Sequence, residues 1–229
     1  RNKPMEEKRL DRSFFVTDAL ELSRNLIGKI MVHKTPYGIV RGIITETEAY
    51  MGVNDKGSHT YGGKRTDRTE PMFHIGGTSY VYLIYGMYSC VNVTAGVVDI
   101  PMASLIRMVI PFDEESKRIM TQLRMDKLRK KHTQKKAEPS AEPSEKQSAE
   151  KSLERQVLSV EKHLADGPGK LCIAMHITKA DNNMDLSTDP DFYLTEGITV
   201  DPSRIQTGKR IGIDYAEEAA DYLWRFTLT

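Results

Sequence analysis

Cysteine is scarce in this 229-residue chain: Cys90 and Cys172 are the two, each in an apolar, strand-like setting. No CxxC pair and no HxxxH spacing occurs, which argues against the usual zinc and iron–sulfur frameworks. Two small buried thiols are expected rather than a disulfide. No apolar run approaches the roughly 18 residues that a bilayer span requires. The start of the chain also lacks a signal-peptide pattern, so neither a membrane partner nor secretion is expected. It opens on Arg1 rather than Met, as a trimmed start would. Neither sign of charge dominates, since 33 Lys and Arg against 32 Asp and Glu leave +1. That balance does not exclude nucleic acid, because a basic face can sit on a neutral total.

The hydrophobic fraction of 39% suits one buried core, and the length suits one domain over residues 1–229. Ala19, Leu20, Leu22 and Leu26 fall near helical spacing after Thr17 and Asp18, which suit an N-cap, and Gly28 closes the helix. Residues 29–33 and 38–50 read as strands joined through Pro36-Tyr37-Gly38. A hairpin is expected over residues 73–94, with strands 79–85 and 89–94 and Gly86 at the turn. Residues 103–109 form another apolar strand, and 113–129 a polar amphipathic helix. From about 127 to 155 the chain is rich in Lys, Glu, Pro and Ser and nearly free of large apolar groups, so a mobile loop is expected. Strands at 192–195, 210–213 and 222–228 complete the pattern. Short strands with few helices and no internal repeat predict an α+β fold, a single compact domain.

Period two places Val40, Ile44, Glu46 and Glu48 on one strand face. Two carboxylates on a strand that begins apolar can raise each other's pKa, unless the strand is an edge facing water. Farther on, His59, Tyr61, Phe73, Tyr80 and Tyr82 are interleaved with Lys64, Arg65 and Arg68. Rings that stack on bases beside cations that meet phosphates suit a nucleic-acid site, although cross-strand ring packing produces the same pattern. Tyr85-Gly86-Met87-Tyr88 falls at the hairpin tip, where apolar groups have little to pack on and could wedge between bases.

Thr47-Glu48-Ala49-Tyr50, His59, Gly62-Gly63, the run from Tyr80 to Tyr88 and Asn92 closely resemble the alkyladenine (3-methyladenine, methylpurine) DNA glycosylase family. Leu105-Ile106-Arg107, Asp166-Gly167-Pro168-Gly169-Lys170-Leu171 and Arg210-Ile211-Gly212-Ile213 continue the resemblance in order, from about residue 11 to 226.

The resemblance implies a curved, mainly antiparallel sheet with peripheral helices and a protruding hairpin. It implies that Glu48 is the general base activating a water at C1′ of a flipped nucleotide, with Glu46 as a weaker rival. The Arg107 side chain and the Ile211 backbone carbonyl would surround that water, Arg107 holding Glu48 ionised. Tyr50, His59 and Tyr82 would sandwich the extruded purine, where cation–π attraction favours alkylated, positively charged bases. Asn92 would help to exclude guanine. Tyr85 would intercalate, with Met87 and Tyr88 beside it in the minor groove. Lys64, Thr66, Lys170 and Lys179 would meet phosphates. The reaction implied is hydrolytic release of alkylated or deaminated purines (3-methyladenine, 7-methylguanine, hypoxanthine, ethenoadenine) from double-stranded DNA by a monomeric, monofunctional enzyme. No metal and no organic cofactor are implied, and the compartment would be the bacterial cytoplasm and nucleoid or a nucleus. The 127–155 segment departs from the family pattern and carries none of its motifs. A non-catalytic damage-binding module and a hydrolase of free nucleosides are the alternatives. Glu48 with Arg107 speaks against the first, and the hairpin tip against the second.

Overall fold

The computed structural model describes residues 7–133 and 143–229. The 38–50 alternation becomes the longest strand. β1 (Ile30–Thr35) and β2 (Gly38–Tyr50) form an antiparallel hairpin in which Ile30 faces Ile43 and Thr35 faces Gly38. The remaining strands are β3 (Ser79–Ile84), β4 (Tyr88–Ala95), β5 (Met102–Pro111), β6 (Phe192–Thr195), β7 (Ile205–Gly208) and β8 (Arg225–Leu228). They make one curled sheet in the order β3-β4-β5-β2-β1-β6, with β8 joining β2 to β7. Each strand pair is antiparallel.

β2 changes partner along its length. On one edge it pairs with β1 up to Ile43, then with β8 from Glu46 to Glu48; on the other it follows β5. The register against β5 shifts between Ile44 and Thr47. Such irregularities bend a strand and re-aim its side chains, and this one lies immediately before Glu48.

Helices α1 (Arg12–Phe15) and α2 (Ala19–Leu26) precede the sheet. Asp18 caps α2 by accepting from the Glu21 amide at 2.9 Å, and Gly28 (φ +89°) reverses the chain behind it. Phe15, Leu22 and Leu26 are fully buried in a core shared with Ile44, Ile106 and Phe226. Burial of each such side chain contributes about 1.5–3 kcal/mol. Helices α3 (Glu114–Thr133) and α5 (Pro168–Ala174) pack on β2, β4 and β5, and α4 (Pro143–Lys162) packs on α3, with Ile119, Met120 and Leu171 in the same core. Both cysteines are free and buried.

Three expectations are corrected. The charged 127–155 stretch, expected as a loop, ends α3 and supplies the first part of α4 in its described residues; 134–142 lie outside them. Lys, Glu and Ala are good helix formers, and their intrinsic preference prevails over low hydrophobicity here. Residues 210–213 form an irregular loop rather than a strand, and β8 begins at Arg225 rather than 222.

β1 also carries a buried titratable contact. His33 donates from Nδ1 to the Met175 carbonyl at 2.8 Å, and its Nε2 lies 3.4 Å from Asp181. Burial pushes its pKa down, but Asp181 and the Met175 carbonyl outweigh burial and leave it raised. Protonated His33 therefore stabilises the fold below its ordinary pKa, and that contribution fades as pH rises through the folded value. In urea unfolding, the stability margin of wild type over His33→Gln should shrink from about pH 5 to about pH 8. A margin independent of pH would contradict this reading.

Candidate active site

Glu48 sits near the C-terminal end of β2 with no exposed surface. Its Oε1 accepts from the Ile211 amide at 2.8 Å and lies 3.3 Å from Nη1 of Arg107 on β5. Its Oε2 accepts from the Tyr50 hydroxyl at 2.8 Å. Burial raises the Glu48 pKa, while Arg107, the Ile211 amide, Tyr50 and Arg210 pull it down; the net direction is upward. Such a carboxylate is a stronger base than a solvated one, provided that its donors keep it ionised.

Glu46 shares this face, as alternation predicts, but has a different task. Its Oε1 accepts from Arg107 Nε at 3.1 Å and from Arg225 Nη1 at 3.1 Å. It therefore fixes the guanidinium that reaches Glu48. The water-facing edge-strand alternative does not hold, because Glu46 is 14% exposed and Glu48 fully buried.

Tyr50, Arg107 and Ile211 line a cavity of about 500 Å³ beside Glu48. His59, Tyr80, Tyr82 and Asn92 complete its aromatic and polar wall. The His59 and Tyr82 rings meet edge to face at 4.7 Å, and Tyr80 lies 5.2 Å from Tyr82. His59 Nδ1 shares a hydrogen bond with the Tyr80 hydroxyl at 3.0 Å. Burial, with Arg68 and Lys64 nearby, lowers the His59 pKa to about 4, so the ring is neutral near pH 7. Asn92 is buried and fixed by donating from Nδ2 to the Tyr80 carbonyl at 3.1 Å.

The β3–β4 hairpin ends beside this cavity. Ile84 faces Tyr88, and the Met87 amide donates to the Ile84 carbonyl at 3.1 Å. Tyr85 (φ 52°) and Gly86 (φ 66°) occupy the centre of the turn, the two positive φ values that a type I′ turn requires. Tyr85 is 89% exposed and Met87 62%.

A family model described as Methylpurine-DNA glycosylase (MPG) matches residues 13–229. The chain belongs to the methylpurine-DNA glycosylase family. A relative from Clostridium botulinum (strain Alaska E43) is 42% identical over 218 residues, covering 95% of this chain and 94% of its own. One from Clostridium beijerinckii is 41% identical over 217 residues, with the same coverage. One from Clostridioides difficile is 37% identical over 225 residues, covering 95% of this chain and 98% of its own. All three bear the name "Putative 3-methyladenine DNA glycosylase". The protein is therefore a DNA N-glycosylase, a hydrolase of DNA repair that acts on DNA.

Within the glycosylase, the residues singled out from sequence divide by position. Tyr50, His59, Tyr82, Tyr85, Asn92, Arg107 and Ile211 line the cavity, and Glu48 lies behind Tyr50, Arg107 and Ile211, in contact with each. Ile211 meets Glu48 through its N–H rather than its carbonyl. Tyr88, expected beside Tyr85 in the groove, is half-buried and packs against Gly169, where a Cβ would come within 3.2 Å of it. Lys64 and Thr66 are exposed and line an adjoining cavity of about 550 Å³ that shares His59 and Arg68 with the first. Lys170 is bound to Asp166 at 2.8 Å. Lys179 is exposed on a turn tied to β3 through the Asp181 carbonyl and Ser79. Tyr80, Asp55 and Arg210 have structural parts in the site that sequence reasoning did not assign. Tyr80 was visible as one ring of a tyrosine-rich strand; Asp55 offered no signal of its own.

In a pH titration followed by imidazole nitrogen shifts, His59 should stay neutral down to about pH 4. Protonation near its ordinary pKa of about 6.5 would contradict the described environment.

Proposed function

We propose that this glycosylase releases alkylated and deaminated purines from duplex DNA by base flipping, with Glu48 as the general base. The observation that carries the reading is a fully buried carboxylate held by two hydrogen-bond donors and the Arg107 guanidinium against an aromatic cavity. A carboxylate offers about four acceptor positions. Ile211 takes one on Oε1, where Arg107 Nη1 stands 3.3 Å away, and Tyr50 takes one on Oε2. The remaining position on Oε2 suits a water proton.

In the proposed reaction, the purine leaves C1′ with the electron pair of the glycosidic bond. The sugar gains oxocarbenium character, and water bonds to C1′ while passing its proton to Glu48. A purine made cationic by alkylation departs neutral and needs no acid. Tyr50, His59 and Tyr82 present faces and edges suited to such a base. A neutral His59 favours a cationic purine, because a charged imidazole would repel it. Neutral lesions such as hypoxanthine require a proton on the base or stabilisation of the departing anion. The place of Asn92 in the wall supports exclusion of guanine through its exocyclic amine. With water as the nucleophile, the product is an abasic site in an unbroken strand, the outcome of a monofunctional, monomeric enzyme.

Tyr85 fits the intercalating role because its ring protrudes on a preformed turn. Unstacking a base pair costs a few kcal/mol, part of which an inserted ring returns. Lys64 and Thr66, beside the cavity, fit phosphate contacts that position the duplex, as Lys170 and Lys179 would farther along. A purely DNA-binding module would not need the Glu48–Arg107 pair.

Under single-turnover conditions with a duplex carrying one ethenoadenine or hypoxanthine, or with alkylated genomic DNA, Glu48→Gln should lower base release by about 10²–10⁴-fold. Lesion binding should persist; undiminished release would eliminate Glu48 as the base. Tyr85→Ala should weaken binding to the lesion duplex while changing stability by less than about 0.5 kcal/mol, as expected for a protruding side chain. Unchanged lesion affinity would remove Tyr85 from the flipping machinery.

A further inference from the structure

Asp55 and Arg210 form an ion pair in which neither side chain is exposed. It is bidentate, with Nη1 donating to Oδ2 at 2.6 Å and Nη2 to Oδ1 at 2.8 Å. Asp55 also accepts from the Met51 amide at 3.0 Å and the Gly57 amide at 2.9 Å. Arg210 donates further, from Nη1 to the Ala49 carbonyl at 3.0 Å and from Nη2 to the Ala219 carbonyl at 3.1 Å. The guanidinium lies 4.9 Å from the centre of the Tyr50 ring and 4.8 Å from that of Trp224. Its Nε is buried without a partner.

Stability alone does not explain this arrangement. Replacing a buried ion pair by apolar groups of similar volume is often neutral or stabilising, and here one donor is left unmet. What distinguishes the pair is where its contacts fall. Ala49 separates Glu48 from Tyr50 in the chain, the Tyr50 ring carries the hydroxyl that binds Glu48, and Ile211 follows Arg210 directly. Residues 209–213 have no strand pairing, since β7 ends at Gly208. Arg210 ties this loop to β2 at the Ala49 carbonyl, while Arg225 holds its start through the Lys209 carbonyl at 2.7 Å. Gly57 closes over Arg210: a Cβ there would lie 3.0 Å from both its Nη2 and the Ile213 Cδ1.

We propose that Asp55 and Arg210 are a positioning pair that touches no DNA but clamps the 209–213 loop and Tyr50 onto Glu48. The inference rests on Glu48 being the base.

Loss of the pair would loosen the Ile211 hydrogen bond to Glu48. Losing that donor favours protonated Glu48, so the acid limb of the rate profile would move to higher pH. The other groups facing Glu48 remain: Arg107 with Glu46 behind it, Tyr50, Tyr82 on β3 and Cys90 on β4.

The test uses two variants of the full chain. Asp55→Leu/Arg210→Met removes both charges at similar volume. Arg210→Lys keeps a positive charge but loses the bidentate fork, and it covers the case in which the first does not fold. Single-turnover base release at saturating enzyme is followed from about pH 5 to about pH 9, together with Kd for the lesion duplex. Both variants are expected to release base roughly ten- to a hundredfold more slowly with Kd unchanged. The acid limb should move upward, farther in the double variant. A cooperatively folded variant with the wild-type rate and an unmoved limb would overturn the proposal, as would a loss confined to Kd. Glu48→Gln run alongside separates the two ideas. If that variant retains release, the base assignment fails and the positioning role with it. If it loses release while the pair variants do not, the clamp alone fails.

Discussion

A charge taken wholly out of water is the constraint around which this molecule is arranged. Leaving a carboxylate in an apolar interior without partners costs several kcal/mol, and protonation would follow. Glu48 keeps its charge only if donors reach it, and beside Tyr50 on its own strand these come from distant parts of the chain. Arg107 arrives from β5, and the Ile211 amide from a loop 163 residues beyond Glu48. The change of partner along β2 makes this possible. Once β1 has left its edge, β8 pairs with Glu46 to Glu48 and brings Arg225 to Glu46, and the 209–213 loop closes over the strand end.

The cavity shows the same economy of charge. Rings, amides and apolar side chains make most of its wall, its histidine is held neutral by burial and neighbouring cations, and the guanidinium next to Glu48 is shared by two carboxylates. Arg68, 5.3 Å over the Tyr82 ring, lines this cavity and the adjoining one, where Lys56 and Lys64 join it. A net charge of +1 therefore conceals cations gathered where the two cavities meet.

What could be read from sequence was whatever has a local period or a local motif. Alternation in residues 38–50 placed Glu46 and Glu48 on one face, and their common contact with Arg107 bears this out. Turn chemistry at Gly86 and the N-cap at Asp18 were equally local. The loop at 210–213 was misread as a strand because Ile211 and Ile213 alternate with Gly212 after Arg210, and its contacts are set by tertiary partners. The Asp55–Arg210 pair joins residues 155 positions apart and has no periodic signature. In the 127–155 stretch, composition argued for loop while helix propensity argued otherwise, and the described residues follow propensity.

The hairpin tip sets folding against use. Tyr85 holds a left-handed backbone conformation, which costs an ordinary side chain roughly 1–2 kcal/mol and which asparagine or glycine adopts more readily. A tip optimised for the turn alone would read Asn-Gly, the favoured pair for this geometry. An aromatic ring stands there instead, in a conformation its own backbone resists. Substitutions chosen only for thermal robustness would thus drift toward asparagine at position 85 and remove the ring proposed to intercalate. Consensus-style stabilisation of this scaffold has to leave its least comfortable residue alone.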